Sequence, residues 1–200
     1  MYRIGLENYH IILASASRAR QKLLAGLDIP FSVHPTRVEE IYPVHLKHQE
    51  ITNYLSELKA MSFPLGENEI VIAADTIIWL EKKALEKPQT KKEAFTMLQN
   101  LSGKTHEVIT SVCIRSLFRK EQFSDTSQVR FEYLTEEEIH YYIENYPTLE
   151  KAGAYGIQEW LGHIGISEIH GSHFNVMGLP VHKVYRTLIY FTNSAHKTPH

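Results

Sequence analysis

The stretch Ile70-Val-Ile-Ala-Ala-Asp-Thr-Ile-Ile-Trp79 constrains the fold more than any other part of the chain. From Ile70 to Ala74 it is apolar without a break and rich in β-branched residues, the pattern of a strand covered on both faces. Strands of that kind belong to sheets flanked by helices, which predicts an α/β fold. The run meets a carboxylate at Asp75-Thr76, and we read the strand as ending there. A carboxylate at the end of a buried strand needs a partner, and ligand sites of α/β sheets collect at strand ends. A second short apolar run (Ile77 to Leu80) and the polar turn Glu81-Lys82-Lys83 lead to Glu86-Lys87-Pro88, which puts a cation downstream. On spacing alone, a strand-capping Asp75 and a solvated Lys87 are an equally good reading.

The rest of the chain alternates strands and helices around this run. Ile11 to Ala14 reads as a short buried strand, followed by a helix capped by Ser17 and stopped at Gly26. Arg18 and Arg20 occupy the first turn of that helix, where the dipole already places partial positive charge. Two arginines there are locally unfavourable unless an anion binds between them and the free amides, so we favour an anion site over two arginines that simply point into water. Ile29 to Val33 is a second strand, and Glu39-Glu40 in the loop after it reads in isolation as ordinary loop charge. His45 and His48 lack further ligands at metal spacing and are taken as surface residues. Ile51, Tyr54, Leu55, Leu58 and Met61 recur at helical spacing over about 50–62, with Lys59 beside the stripe in the position of a snorkelling lysine.

Thr90 to Glu93 is a capping-box pattern opening a helix that Gly103 stops. Thr105 to Arg115 and Gln122 to Tyr133 read as two adjacent strands, and Thr135 to Glu138 as a second capping box. Gly153 and Gly156 suggest a close backbone approach without naming a ligand. Ile164 to Ile169 is strand-like, Gly171 to Pro180 a loop, Val181 to Phe191 a final helix, and Asn193 to His200 a polar tail. The pattern predicts a mixed twisted sheet in a single domain.

Composition narrows the function. A net charge of −2 excludes a globally basic nucleic-acid binder, so any anion site must be local. The single cysteine, Cys113, sits between Val112 and Ile114 and reads as a buried small hydrophobe in a reducing compartment. No run approaches the roughly 20 apolar residues of a membrane span, and Met1 to His10 lacks a signal-peptide core, which predicts a cytoplasmic protein. No G-x-x-x-x-G-K-[ST] sequence occurs, so a Walker-type NTPase is unsupported.

Taken in order, several stretches resemble the Maf family of nucleoside triphosphate pyrophosphatases. They are Leu13 to Ser17 with Arg20 to Leu24, Glu40, Lys59-Ala60, Ala74 to Thr76, Glu86 to Pro88, Leu101 to Val108, Lys151 to Gln158 and Gly178 to Pro180. The resemblance covers nearly the whole chain, and the ordered set is more specific than any piece of it. It implies an elongated mixed sheet with two lobes and a central cleft, akin to inosine-triphosphatase-like enzymes, and commonly a homodimer. It also implies a divalent metal, Mg2+ or Mn2+, held by Glu40 and Asp75, with Asp75 the base for the attacking water. By the same resemblance Ser17, Arg20, Lys59 and Lys87 bind the triphosphate, while Thr76 and Gln158 help select a pyrimidine. The implied reaction is hydrolysis of dTTP, UTP or a modified pyrimidine nucleotide to the monophosphate and pyrophosphate, a housecleaning role in the nucleotide pool. One departure stands out. The family's usual Ser-Pro-Arg-Arg is here Ser17-Arg18-Ala19-Arg20, so Ala19 holds the place of the first arginine. That departure keeps open an alternative, a catalytically impaired nucleotide-binding regulator of cell division.

Overall fold

A computed structural model describes residues 5–195. In chain order the elements are β1 (His10–Leu13), α1 (Arg18–Ala25), β2 (Phe31–Val33), α2 (Gln49–Met61), β3 (Glu69–Leu80), β4 (Lys83–Leu85), α3 (Lys91–Leu101), β5 (Thr105–Arg115) and β6 (Lys120–Phe131). There follow α4 (Glu136–Asn145), two short 3-10 turns, α5 (Trp160–Gly165), β7 (Ile166–His170), α6 (His173–Val176) and α7 (Val181–Ala195). The seven strands form one mixed sheet in the order β2-β1-β3-β5-β6-β7, with β4 paired to β3. β2, β1 and β3 run parallel, and every pairing from β3 onward is antiparallel. The expected α/β class and mixed sheet are what the chain adopts.

The central strand does not end at Asp75. β3 continues to Leu80 and pairs with β5 from Val71↔Arg115 to Trp79↔Glu107, straight through Asp75↔Ser111 and Thr76↔Thr110. A buried carboxylate can sit mid-strand because it finds a cation, described below, while its backbone stays in the ladder. What ends are the neighbours on the other edge. β1 reaches only Ile72, and β4 begins only at Ile78. Among the described residues, no strand pairs with that edge of β3 between 73 and 77. Asp75 and Thr76 lie in the middle of this gap.

Side-chain alternation then sends the two residues to opposite faces. On one face Ile70, Ile72 and Ala74 pack with residues of α1 and α7, while Ile78 and Leu80 pack with residues of α3 and α4. Thr76 falls between these two cores, which form the expected two lobes. The other face is covered by α2, where Val71 and Ala73 meet Ala60, and Ile77 meets Ile51 and Leu55. Asp75 belongs to this second face. Cys113 is fully buried in it, and burial pushes its thiol up to about 11, so it behaves as the predicted inert hydrophobe.

The strand expected over 122–133 is β6, displaced two residues toward the N-terminus by the tight connection at 116–119. The expected loop 171–180 contains α6, capped where Ser172 Oγ accepts the Asn175 N–H. α5 had no sequence signal because it is short and carries Gly162 and Gly165. Gly162 is required there, since a Cβ would stand 2.1 Å from the Ile157 carbonyl oxygen. The final helix runs past Phe191 to Ala195, and the rest of the polar tail lies outside the described residues.

Candidate active site

Lys59 lies within the buried stripe of α2, with Ile51, Leu55, Ser56 and Ala60. It does not snorkel. The side chain is 8% exposed and reaches across to β3, where Nζ donates to Asp75 Oδ1 at 2.6 Å. The same Nζ stands 3.1 Å from Glu40 Oε1. Glu40 is also 3.9 Å from the exposed Lys87 Nζ through Oε2. Two carboxylates and two lysines, from the β2–α2 loop, α2, β3 and the segment after β4, thus meet at the unpaired edge of the central strand. Glu40 is part of this cluster, not ordinary loop charge.

The two carboxylates are driven apart. Burial pushes Asp75 above the usual aspartate range, and Lys59 and Arg20 only partly oppose it. For the half-exposed Glu40 the burial effect is outweighed by Lys59 and Lys87, which hold it below its usual range. A carboxylate made more basic beside one kept ionised is the arrangement needed to accept a proton near bound charge. Among the described residues, no group of three or more His, Cys, Asp or Glu side chains could hold a metal alone. Glu40 and Asp75 do converge on one cation, Lys59 Nζ. Mg2+ is commonly held by one or two carboxylates together with substrate phosphates, so this donor set fits such an ion. His48, by contrast, pairs with Glu107 at 2.8 Å and meets Trp79 edge-on.

On the other face of β3, Arg20 is committed to the protein. Its Nε donates to the Gly178 carbonyl at 2.9 Å, Nη2 to Thr76 Oγ1 at 3.0 Å and Nη1 to Ser15 Oγ at 3.4 Å. Ser17 caps α1 as expected, accepting the Arg20 N–H at 3.4 Å, but Arg18 points into solvent. The two arginines therefore do not converge on one anion site. Arg20 reaches Gly178 and Thr76, and Arg18 is exposed.

Gln158 is exposed and outside both clusters. Its Nε2 donates to Met177 Sδ at 2.9 Å, next to the Gly178 that holds Arg20. The segment leading to it is pinned, because Gly153 N–H donates to the Glu86 carbonyl at 3.0 Å, beside Lys87. Gly153 has φ +64°, and a Cβ there would stand 2.4 Å from Ile78 Cδ1. Gly153→Ala should lower stability by about 1–3 kcal/mol through left-handed strain and overpacking. Urea unfolding would read this as a lower midpoint at unchanged slope.

Sequence reasoning missed three participants. Tyr42 Oη donates to Glu86 Oε1 at 2.5 Å, tying the Glu40 loop to the Lys87 segment. Its hydroxyl is pushed up to about 12 by partial burial and by Glu86. A lone loop tyrosine carries no local signal. Thr110 and Asn175, both fully buried, stand behind Thr76 and read in sequence as ordinary strand and loop residues.

A model of the family described as Maf-like protein matches residues 10–191. The chain belongs to the Maf family. A Flavobacterium psychrophilum relative named dTTP/UTP pyrophosphatase is 50% identical over 194 residues, covering 96% of this chain and 100% of the relative. A Bacteroides fragilis protein of the same name is 45% identical over 187 residues, covering 92% of this Maf chain and 97% of its own. Among solved structures, the Staphylococcus aureus Ham1 protein aligns over 93% of this chain and 99% of its own, at 16% identity and a TM-score of 0.45. That likeness is too loose to argue from. No helix among the described residues is long and apolar enough to cross a membrane.

Proposed function

We propose that this Maf protein hydrolyses dTTP and UTP, releasing the nucleoside monophosphate and pyrophosphate. The observation that carries the reading is the Asp75–Lys59–Glu40–Lys87 cluster at the unpaired edge of β3. The relatives' shared name supports the substrate class. A nucleoside triphosphate brings about four negative charges, which a net-negative chain must meet locally with cations and donors. Lys59 and Lys87 supply two positive charges, and the first-turn amides after Ser17 add donors. Glu40 and Asp75 would hold Mg2+ or Mn2+ with the phosphates, and such an ion supplies charge neutralisation on the phosphate oxygens. Asp75 accepts a proton from the water that attacks the α-phosphorus, and pyrophosphate leaves. Lys59, once turned from Asp75 toward the phosphates, offsets charge on the leaving group. The test is direct. With dTTP and magnesium, the purified protein should release one pyrophosphate per dTMP, and release of orthophosphate alone would refute the reading.

Gln158 is assigned to the base in this proposal, because its amide offers both a donor and an acceptor to the edge of thymine or uracil. Its contact with the Met177 sulfur is weak and exchangeable. Gln158→Ala should therefore reduce kcat/KM for dTTP and UTP by roughly tenfold and change purine triphosphates less. An equal loss across all nucleotides would make Gln158 a structural residue of its loop.

A further inference from the structure

Behind Thr76 lies a chain of hydroxyls that the proposed chemistry does not use. Thr76 Oγ1 receives Arg20 Nη2 at 3.0 Å and stands 3.0 Å from Thr110 Oγ1. Thr110 Oγ1 stands 3.1 Å from the Asn175 carbonyl oxygen. Each threonine hydroxyl has one proton to give. A carbonyl cannot donate, so the proton between Thr110 and Asn175 comes from Thr110. The proton between the two threonines must then come from Thr76, and the guanidinium supplies the one between Arg20 and Thr76. Any other assignment leaves two oxygens facing each other without a hydrogen in a buried place.

The acceptor at the end of the chain is fixed. Asn175 is fully buried, and its amide donates at 2.9 Å to both the Val108 carbonyl and Ser127 Oγ. The same Asn175 carbonyl takes the Gly178 N–H at 2.9 Å, and the Gly178 carbonyl takes Arg20 Nε. The five contacts close a ring through Arg20, Thr76, Thr110, Asn175 and Gly178.

We infer that Thr110 is a positioning residue that fixes the polarity of Thr76, so that Thr76 faces the cleft with a lone pair and no proton. Whatever meets Thr76 must then donate. This rests on the function proposed above: Gln158, assigned there to the base, contacts Met177 beside the Gly178 that holds Arg20 against Thr76, which brings the base to the Thr76 side. Thymine and uracil carry a proton on ring nitrogen N3, whereas cytosine presents a lone pair there. Thr110 thus makes the site select N3–H pyrimidines, although it is buried behind Thr76 and touches no substrate.

Calorimetric titration of the full chain with α,β-imido analogues of dTTP and dCTP, in magnesium, separates this from a structural role. The unmodified protein should bind the thymine analogue roughly tenfold or more tighter than the cytosine one. Thr110→Val keeps the shape but removes the acceptor, freeing the Thr76 proton to turn into the cleft. The preference should then fall toward unity, while Thr110→Ser restores it. An unmodified protein that binds both analogues equally, or binds neither, overturns the inference. So does a Thr110→Val protein that weakens both alike. Should Thr110→Val fail to fold, an N3-methyl dTTP analogue tests the unmodified protein, and affinity equal to that for the dTTP analogue overturns the inference. Loss of the hydrolase reading looks different: the thymine preference would be intact with no pyrophosphate released from dTTP.

Discussion

Asp75→Asn is expected to cut pyrophosphate release from dTTP by roughly 10²-fold or more, in a protein that still folds. The substitution keeps the size of the side chain and leaves an amide oxygen to accept the Lys59 Nζ hydrogen bond, now 2.6 Å long. Lys59 retains its second partner, Glu40, so no charge is stranded in the interior. What disappears is the basic oxygen that burial has made a better proton acceptor than an ordinary aspartate. The loss should fall mainly on kcat, because Glu40 and the amide oxygen at position 75 stay available to a metal and the lysines that meet the triphosphate are unchanged. Near-normal turnover in a folded Asp75→Asn protein would remove Asp75 as the base.

The second large effect concerns stability in acid. His106, on β5, is 2% exposed, with Nε2 2.7 Å from Tyr155 Oη and its ring edge-on to Phe131 at 5.1 Å. Burial among these rings pulls its pKa down from 6.5 to about 4. The folded state therefore favours the neutral ring, and between these two values the unfolded chain binds more protons than the folded one. The His106 contribution is fully present above about 6.5 and is lost as pH falls through that window toward 4. A gap of about 2.5 units corresponds to about 3 kcal/mol over the whole window, of which about 2 kcal/mol is gone at pH 5. Urea unfolding at pH 7 and pH 5 should show a smaller drop for His106→Gln than for the parent by about that amount. Equal drops in the two proteins would place the acid sensitivity elsewhere.

Much of the fold was legible because it is written over a few neighbouring residues. Thr135 and Glu138 form both halves of the capping box that their spacing announces, and Thr90 caps α3. The apolar period of α2 sets that helix within one residue of the expected range. The site was partly legible as well. Glu40, Lys59, Asp75 and Lys87 do meet, though the ordered family pattern, and not spacing, was what marked them as a set.

What the sequence determined by itself, then, is what local chemistry controls: the α/β alternation, the helix caps, the buried central run and a carboxylate at its end that needed a partner. The tertiary structure decided the rest. It continued β3 through Asp75, because the ladder to β5 is made by residues 34 apart at Thr76 and Thr110, and opened the other edge where β1 and β4 stop. It put Asp75 with Lys59 on one face and Thr76 with Arg20 on the other, since consecutive strand residues must part. It also brought Arg20 against a carbonyl 158 residues away. No local pattern encodes such a contact, because a side chain's partners are set by which segments the packed core brings together.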